Sequence, residues 1–96
     1  MSKQPCVYIL ASKRNGTLYT GVTSNLRKRI WEHKNDQVQG FSKKYQVHTL
    51  VWYEVHETML SAISREKEIK HVTRQMKIDL IETLNPYWND LYKDIL

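Results

Sequence analysis

The feature that most constrains the fold is an Asn-Gly pair between two short β-rich runs. The pair Asn15-Gly16 separates the run CVYILA from the run TLYTGV. Both residues tolerate positive φ, which a tight antiparallel hairpin requires. We therefore expect residues 6–11 and 17–22 to pair as antiparallel strands. Such a hairpin would bring two tyrosines, Tyr8 and Tyr19, close together.

A short helix is predicted directly after the hairpin. The residues Thr-Ser-Asn supply N-cap oxygens for a helix over 26–34, in which Leu26, Ile30 and His33 share one face. Residues 35–47 contain Gly40 and are predicted to form a loop. The alternating run HTLVWYEVHE then predicts a third strand.

Two amphipathic helices are predicted in the last third of the chain, over residues 59–73 and 74–84, the first capped by Thr58. Asn85 precedes a proline, and a residue in that position resists the helical conformation, so it marks a helix end. The aromatic tail is expected to pack onto the core. The order ββαβαα predicts an α/β fold with a small three-stranded antiparallel sheet flanked by helices.

The length and the charge of the chain limit which functions it can have. The 96 residues predict one domain, 1–96, with no room for a separate recognition module. Lys and Arg outnumber Asp and Glu by 15 to 10, which favours a polyanionic partner, nucleic acid before membrane. Cys6 is the only cysteine, which excludes an intrachain disulfide and a cysteine zinc site. No apolar run suits a signal peptide or a membrane span, so we expect a cytoplasmic protein.

Glu66 falls on the apolar side of the helix over 59–73, in line with Met59, Ala62, Ile63 and Ile69. A shielded carboxylate is costly unless it is paired or bound to a cation. The pattern fits an ion pair with an arginine, a boundary position that reaches water, or a metal ligand.

Arg29 and His33 lie one helical turn apart and are therefore neighbours. One interpretation is a solvated basic face, in which the histidine lies near the helix C-terminus, where a positive charge is favoured. The other is a pair of side chains that binds a phosphate. Tyr8 and Tyr19 fit either packing or a role as general base, and the second role needs nearby cations to lower a pKa of about 10. Arg29 and His33 follow the second strand and are expected to supply that positive charge. Gly21 is interpreted as a turn residue.

The segments CVYIL, YTG, NLRKRIWEH, AISREKEIK and LNPYWNDL occur in this order, and together they resemble the GIY-YIG nuclease superfamily. The resemblance is greatest to small stand-alone bacterial members related to the N-terminal nuclease domain of the excision-repair endonuclease. Cys6-Val7-Tyr8 replaces Gly-Ile-Tyr, and Tyr19-Thr20-Gly21 replaces Tyr-Ile-Gly. Both tyrosines are kept.

The resemblance implies a role for each site residue. Tyr8 and Tyr19 would be the paired tyrosines, either of them the general base. Arg29 would stabilise charge on the phosphate, and His33 would hold the phosphate or assist proton transfer. Glu66 would be the one protein ligand of Mg²⁺ or Mn²⁺. A single protein ligand is compatible with Mg²⁺, which commonly binds one or two carboxylates and keeps several waters. Asn85 would organise the site from the last helix.

The first hypothesis is therefore a metal-dependent endonuclease that hydrolyses DNA and is connected with DNA repair, with RNA left open as a substrate and a protein partner for targeting. A basic surface would bind the nucleic acid; its candidate residues are Arg27, Lys28, Lys43, Lys44 and Lys70. The alternative is a catalytically inactive nucleic-acid-binding module of the same fold. A third hypothesis is an interaction domain that docks through Tyr87, Trp88 and Tyr92.

Overall fold

The fold is built on a three-stranded antiparallel sheet with the first strand in the middle. A computed structural model describes residues 3–96, and of Ser42 only the backbone. The strands are β1 (Cys6–Ala11), β2 (Leu18–Thr23) and β3 (Thr49–Val55), in the order β2-β1-β3. The predicted α/β class and three-stranded sheet are confirmed. Residues 1 and 2 of the predicted domain lie outside the described range.

The β1–β2 hairpin has a longer loop than a two-residue Asn-Gly turn. The Ser12 N–H donates to the Thr17 carbonyl, and the Gly16 N–H donates to Lys13 within the loop. Of the predicted pair only Asn15, with φ of 59°, adopts positive φ. The second strand consequently begins and ends one residue later than predicted.

The helices are α1 (Leu26–Lys34), α2 (Phe41–Tyr45), α3 (Met59–His71) and α4 (Arg74–Leu84), followed by a 3₁₀ turn over Leu91–Asp94. The bounds of α1 and α4 agree with the prediction. Helix α3 ends two residues earlier, because the Thr73 side chain caps α4 by accepting from the Met76 N–H.

Helix α2 contradicts the prediction of a loop over 35–47. Its five residues are too few to show a helical period, so its helical state depends on the rest of the fold. The observed order of strands and α-helices is ββααβαα.

The two faces of β1 are covered by different helices, and all six of its residues are buried. One face packs against α3 and α4, in a cluster of Val7, Ile9, Ala11, Val51, Trp52, Ala62, Ile69, Ile81 and Trp88. The other face packs against α1, in a cluster of Cys6, Tyr8, Leu10, Leu26, Ile30, Val47 and Leu50. Tyr8 thus lies between the sheet and α1, which determines where the site forms.

The C-terminal segment packs onto the core, as predicted. Trp88 is buried, and its indole N–H donates to the Glu82 carboxylate at 2.7 Å. Asp90 bonds Lys34 of α1 and also accepts from the Leu50 N–H of β3. Within residues 3–96, every helix is too short or too polar to cross a membrane.

Candidate active site

Tyr8 is placed by its neighbour on β2. Its side chain is 2% exposed, and its partner across the β1–β2 ladder is Gly21. A Cβ added at Gly21 would lie inside 3.0 Å of the Tyr8 ring and hydroxyl. Gly21 is therefore a strand residue that makes room for the phenol, and the interpretation as a turn residue is wrong.

Tyr19 lies beside Tyr8 on the same face of the sheet. It is two residues from Gly21 on β2, which makes it a diagonal neighbour of Tyr8. The two ring centroids are 6.3 Å apart. The proximity predicted from the hairpin is confirmed.

His33 faces both tyrosines from the last turn of α1 and is 1% exposed. Its Nε2 lies 3.0 Å from the Tyr8 hydroxyl, and its ring lies 5.3 Å from that of Tyr19. Burial, followed by the charge of Arg29, lowers the pKa of His33 to about 4. The imidazole is therefore neutral at pH 7 and able to accept a proton.

Burial acts on Tyr8 in the opposite sense and raises its pKa above the usual value near 10. The neighbouring Tyr19 adds to the increase, and Glu66 and Glu32 do so more weakly, while Arg29 opposes it. The expectation that Arg29 and His33 together lower the pKa of this tyrosine is wrong, because desolvation outweighs Arg29 and His33 carries no charge. A protonated phenol thus contacts a neutral imidazole, and the phenol hydroxyl can donate a hydrogen bond to Nε2.

Arg29 lies one turn before His33 and is 41% exposed at its side chain. Its Nη1 lies 3.5 Å from Glu32 Oε1, while Arg27 and Lys28 are exposed. A cleft of about 310 Å³ opens here; it is lined by Lys3, Thr23, Ser24, Asn25, Lys28, Arg29 and Glu32. The guanidinium therefore lies at the junction of an open, basic cleft and the buried tyrosine pair.

Glu66 projects from α3, on the side of the buried Ala62 and Ile69, and its side chain is only 14% exposed. Its charge raises the pKa of Tyr8, so the carboxylate lies within electrostatic reach of that hydroxyl. Its ion-pair partner is Lys70 on the next turn, at 3.0 Å, rather than an arginine.

The carboxylate of Glu66 offers oxygen donors of the kind that a hard cation takes. Over residues 3–96, apart from the side chain of Ser42, no three His, Cys, Asp or Glu side chains cluster as metal ligands. A carboxylate oxygen fits Mg²⁺ or Mn²⁺, and Mg²⁺ commonly takes one or two carboxylates and keeps several waters. The Glu66 carboxylate thus fits a cation whose other coordination positions are filled by water and by substrate oxygens.

Asn85 is 4% exposed and bonds the backbone on two sides. Its Nδ2 donates to the carbonyls of Val51 and Asn89, and its Oδ1 accepts from the Asn89 N–H. The register of β1 with β3 shifts at Val51, so Asn85 satisfies a carbonyl at an irregular point of the sheet. It connects the C-terminal segment to β3.

Helix α2 brings residues to the site that the sequence analysis did not single out. The Phe41 ring stacks on Tyr19, with centroids 6.0 Å apart and an interplanar angle of 29°, and Tyr45 follows at 4.6 Å. Phe41 and Tyr45 lie four residues apart and flank Lys43 and Lys44, but one such pair is too little to predict a helix. Glu32 was likewise missed, since a surface helix carries many such charges.

The remaining basic residues differ in their surroundings. Lys43 and Lys44 are exposed, and Lys70 is half-exposed beside Glu66. Arg74 donates to the carbonyls of Asn15 and Gly16 and so supports the hairpin loop. The aromatic tail does not form one docking surface, because Trp88 is buried.

Comparison with known proteins agrees with this geometry. The model of the GIY-YIG catalytic domain matches residues 4–79. A UPF0213 protein of Staphylococcus saprophyticus is 40% identical over 75 residues, which cover 78% of this chain and 90% of that protein. A UPF0213 protein of Staphylococcus aureus is 38% identical over 76 residues, covering 79% and 92%.

A solved structure shows the same fold. The solution NMR structure of a UPF0213 protein from Bacillus halodurans aligns with a TM-score of 0.57 and 26% identity, and covers 94% of this chain and 95% of that one. The range 4–79 that the family model matches contains both tyrosines, α1 and Glu66. The chain belongs to the GIY-YIG family, a family of the nuclease type, as one of its small bacterial members.

Proposed function

We propose that this protein is a divalent-metal-dependent endonuclease that hydrolyses DNA phosphodiester bonds. The observation that carries the proposal is the buried Tyr8–His33 contact at 3.0 Å, with Arg29 and Glu66 both close enough to influence the pKa of the same hydroxyl. A packing tyrosine has no need of a neutral imidazole, a guanidinium and a carboxylate around one oxygen. A role in DNA repair stays a prediction.

In this proposal Tyr8 is the general base, and it works without first becoming a phenolate. The attacking water gives a proton to the Tyr8 oxygen while the phenol proton moves to Nε2 of neutral His33. The water oxygen bonds to phosphorus, and the bond from phosphorus to the leaving oxygen breaks. The leaving oxygen takes a proton from solvent water, and His33 returns its proton to solvent after the step. The paired transfer avoids a free phenolate, which burial makes costly, and places the positive charge on His33 instead, where burial also opposes it. Tyr19, in contact with the His33 ring, holds the imidazole in place.

Arg29 and Glu66 would serve the phosphate. A guanidinium in the basic cleft can donate two parallel hydrogen bonds to phosphate oxygens. Glu66 would hold the cation, and Lys70 would release the carboxylate when the cation binds. The cation, when bound, supplies positive charge against the developing negative charge on the phosphate. Asn85 would be a positioning residue that fixes β3 and the C-terminal segment around the site.

The basic surface would bind the nucleic acid backbone. Lys28 lines the cleft beside Arg29, and Arg27 lines a second pocket that shares Lys28 with it. Lys43 and Lys44 lie on α2, whose Phe41 stacks on Tyr19. Lys70, once separated from Glu66, adds a further charge near the proposed cation. Because such contacts release counterions, binding should weaken steeply as salt rises.

The test is a cleavage assay with linear, nicked, branched and single-stranded DNA, in Mg²⁺, in Mn²⁺ and in chelator. The wild type should cut at least one substrate only with a divalent ion, and Glu66→Ala and Glu66→Gln should not. Equal cleavage by Glu66→Ala would show that the assignment of Glu66 is wrong. Salt-sensitive binding without cleavage under either metal would support the inactive binding module instead.

A further inference from the structure

An aromatic row leads from the candidate site to the surface, and its members are Tyr19, Phe41 and Tyr45. Tyr19 lies against His33, Phe41 stacks on Tyr19, and Tyr45 lies 4.6 Å from Phe41. The row therefore begins at the residues proposed to act on the phosphate. Its far end is formed by α2 alone.

The two outer rings of the row, Phe41 and Tyr45, are only partly buried. Phe41 is 45% exposed and Tyr45 is 44% exposed, although burial of an aromatic ring is strongly favourable. Phe41 and Tyr45 lie one helical turn apart on α2, so their open surfaces adjoin. Two neighbouring half-open rings beside a candidate active site indicate a surface for a planar ligand.

Positive charge accompanies these rings. Lys43 and Lys44 are exposed on the same five-residue helix, and Lys44 Nζ lies 5.4 Å from the centroid of the Tyr45 ring. Aromatic rings interleaved with lysines match the two parts of a nucleotide, a flat base and an anionic phosphate. An apolar peptide would match the rings and leave the lysines without partners.

We propose that α2 is a platform on which an unpaired base of the substrate stacks, through Tyr45 and Phe41, and that the preferred substrate is single-stranded DNA. The proposal rests on the proposed nuclease function. In a duplex each base is paired and covered by its neighbours, so stacking on α2 would require that the base first be extruded, at a cost. A single strand exposes its base faces without that cost.

The experiment measures binding in chelator, so that no cleavage occurs. A 12-nucleotide DNA strand with one 2-aminopurine reports stacking by a loss of fluorescence, and the same strand annealed to its complement is the comparison. The wild type should bind the single strand more tightly than the duplex and quench the probe. Tyr45→Ala should weaken single-strand binding by about 5- to 100-fold and restore the fluorescence.

Two control variants distinguish the loss of the aromatic ring from a general disturbance of the fold. Tyr45→Phe keeps the ring and should bind within about twofold of wild type, since stacking does not depend on the hydroxyl. Tyr87→Ala removes a more exposed tyrosine, which lies in the C-terminal segment, and should have no effect on single-strand binding. Tyr45 is the residue varied because Phe41 contacts Tyr19, so that its loss would also disturb the candidate site.

Two outcomes would overturn the proposal: Tyr45→Ala binding the single strand as tightly as wild type, or wild type preferring the duplex. Thermal unfolding of Tyr45→Ala guards against a folding artefact. Binding and cleavage are read separately. Single-strand binding that depends on Tyr45, combined with no cleavage in Mg²⁺ or Mn²⁺, would leave α2 as the base platform and contradict only the endonuclease.

Discussion

The hydroxyl of Tyr8 lies 3.0 Å from Nε2 of His33, and both side chains are almost completely shielded from solvent. This contact joins the central strand to the last turn of α1. It also pairs a phenol whose pKa is raised with an imidazole whose pKa is lowered to about 4. Both groups are neutral as a result, and the buried contact holds no net charge in the resting protein.

Gly21→Ala should disturb this contact directly. The new methyl group would meet the Tyr8 ring within 3.0 Å, so the phenol must move and the bond to His33 be lost. We expect cleavage to fall at least about tenfold and stability to fall by about 1–3 kcal/mol, the usual cost of overpacking. The measurements are a single-turnover rate and urea unfolding.

Val22→Ala is the matched control, because Val22 lies next to Gly21 but packs on the opposite face of the sheet. It should cost about 1–2 kcal/mol of stability and leave cleavage nearly unchanged. Equal loss of activity in the two variants would mean that strand stability, and not the position of Tyr8, controls the rate.

The lowered pKa of His33 predicts a stability that depends on pH. In the unfolded chain the histidine has a pKa near 6.5, whereas in the fold it is about 4. Between these values the unfolded chain binds a proton that the folded protein does not. The contribution is therefore fully present above pH 6.5 and is lost as pH falls towards 4, by up to about 3 kcal/mol.

Urea unfolding of the wild type and of His33→Gln from pH 7.5 to 4.5 measures the contribution of His33 to the free energy of unfolding. The other histidines are common to both proteins, so their titration cancels in the difference. The wild type should lose more stability on acidification than the variant. Parallel curves over the whole range would contradict a buried, neutral His33.

Arg29→Ala should slow cleavage by about 10²–10³-fold, the loss typical of a donor that stabilises developing charge. Arg27→Ala, which changes an exposed residue two positions away, should mainly weaken DNA binding in a salt-dependent way. Rates at saturating DNA, at low and moderate salt, separate the two effects. A cleavage rate for Arg29→Ala within about twofold of the wild-type rate would show that Arg29 does not have the proposed role.

Asn85→Ala should cost about 2–4 kcal/mol of stability, because the buried carbonyl of Val51 loses its donor and the C-terminal segment loses two further bonds. Asn89→Ala is the control, since Asn89 takes part through its backbone and should be nearly neutral. Hydrogen exchange of residues 49–55 should accelerate in Asn85→Ala alone. Similar behaviour of the two variants would contradict the connection to β3.

The elements that could be predicted are those specified locally. Helix α1 begins after Asn25, whose side chain accepts from the Lys28 N–H, and its apolar face was evident from the spacing of Leu26 and Ile30. The proximity of Tyr8 and Tyr19 followed from a hairpin whose strands adjoin in sequence. Glu66 was noted because a carboxylate interrupts an apolar stripe.

The features that could not be predicted depend on distant parts of the chain. The irregular register at Val51 and its bond to Asn85 join residues 34 positions apart, and no local pattern encodes them. Helix α2 is one turn long and lies against Tyr19, which is distant in sequence. The direction of the Tyr8 pKa depends on burial, so a list of nearby cations gave the wrong sign.

The most direct test of the account is the single-turnover cleavage rate of Tyr8→Phe in Mg²⁺, relative to wild type. The variant removes one oxygen and keeps the ring. Tyr53→Phe is the control, because Tyr53 is the partner of Tyr8 on β3 and keeps the sheet comparable. We predict that Tyr8→Phe is slower by about 10²–10⁴-fold, the range for a general base, and that Tyr53→Phe is close to wild type. A wild type that cuts DNA, with Tyr8→Phe cutting it within about twofold of that rate, would contradict the central claim.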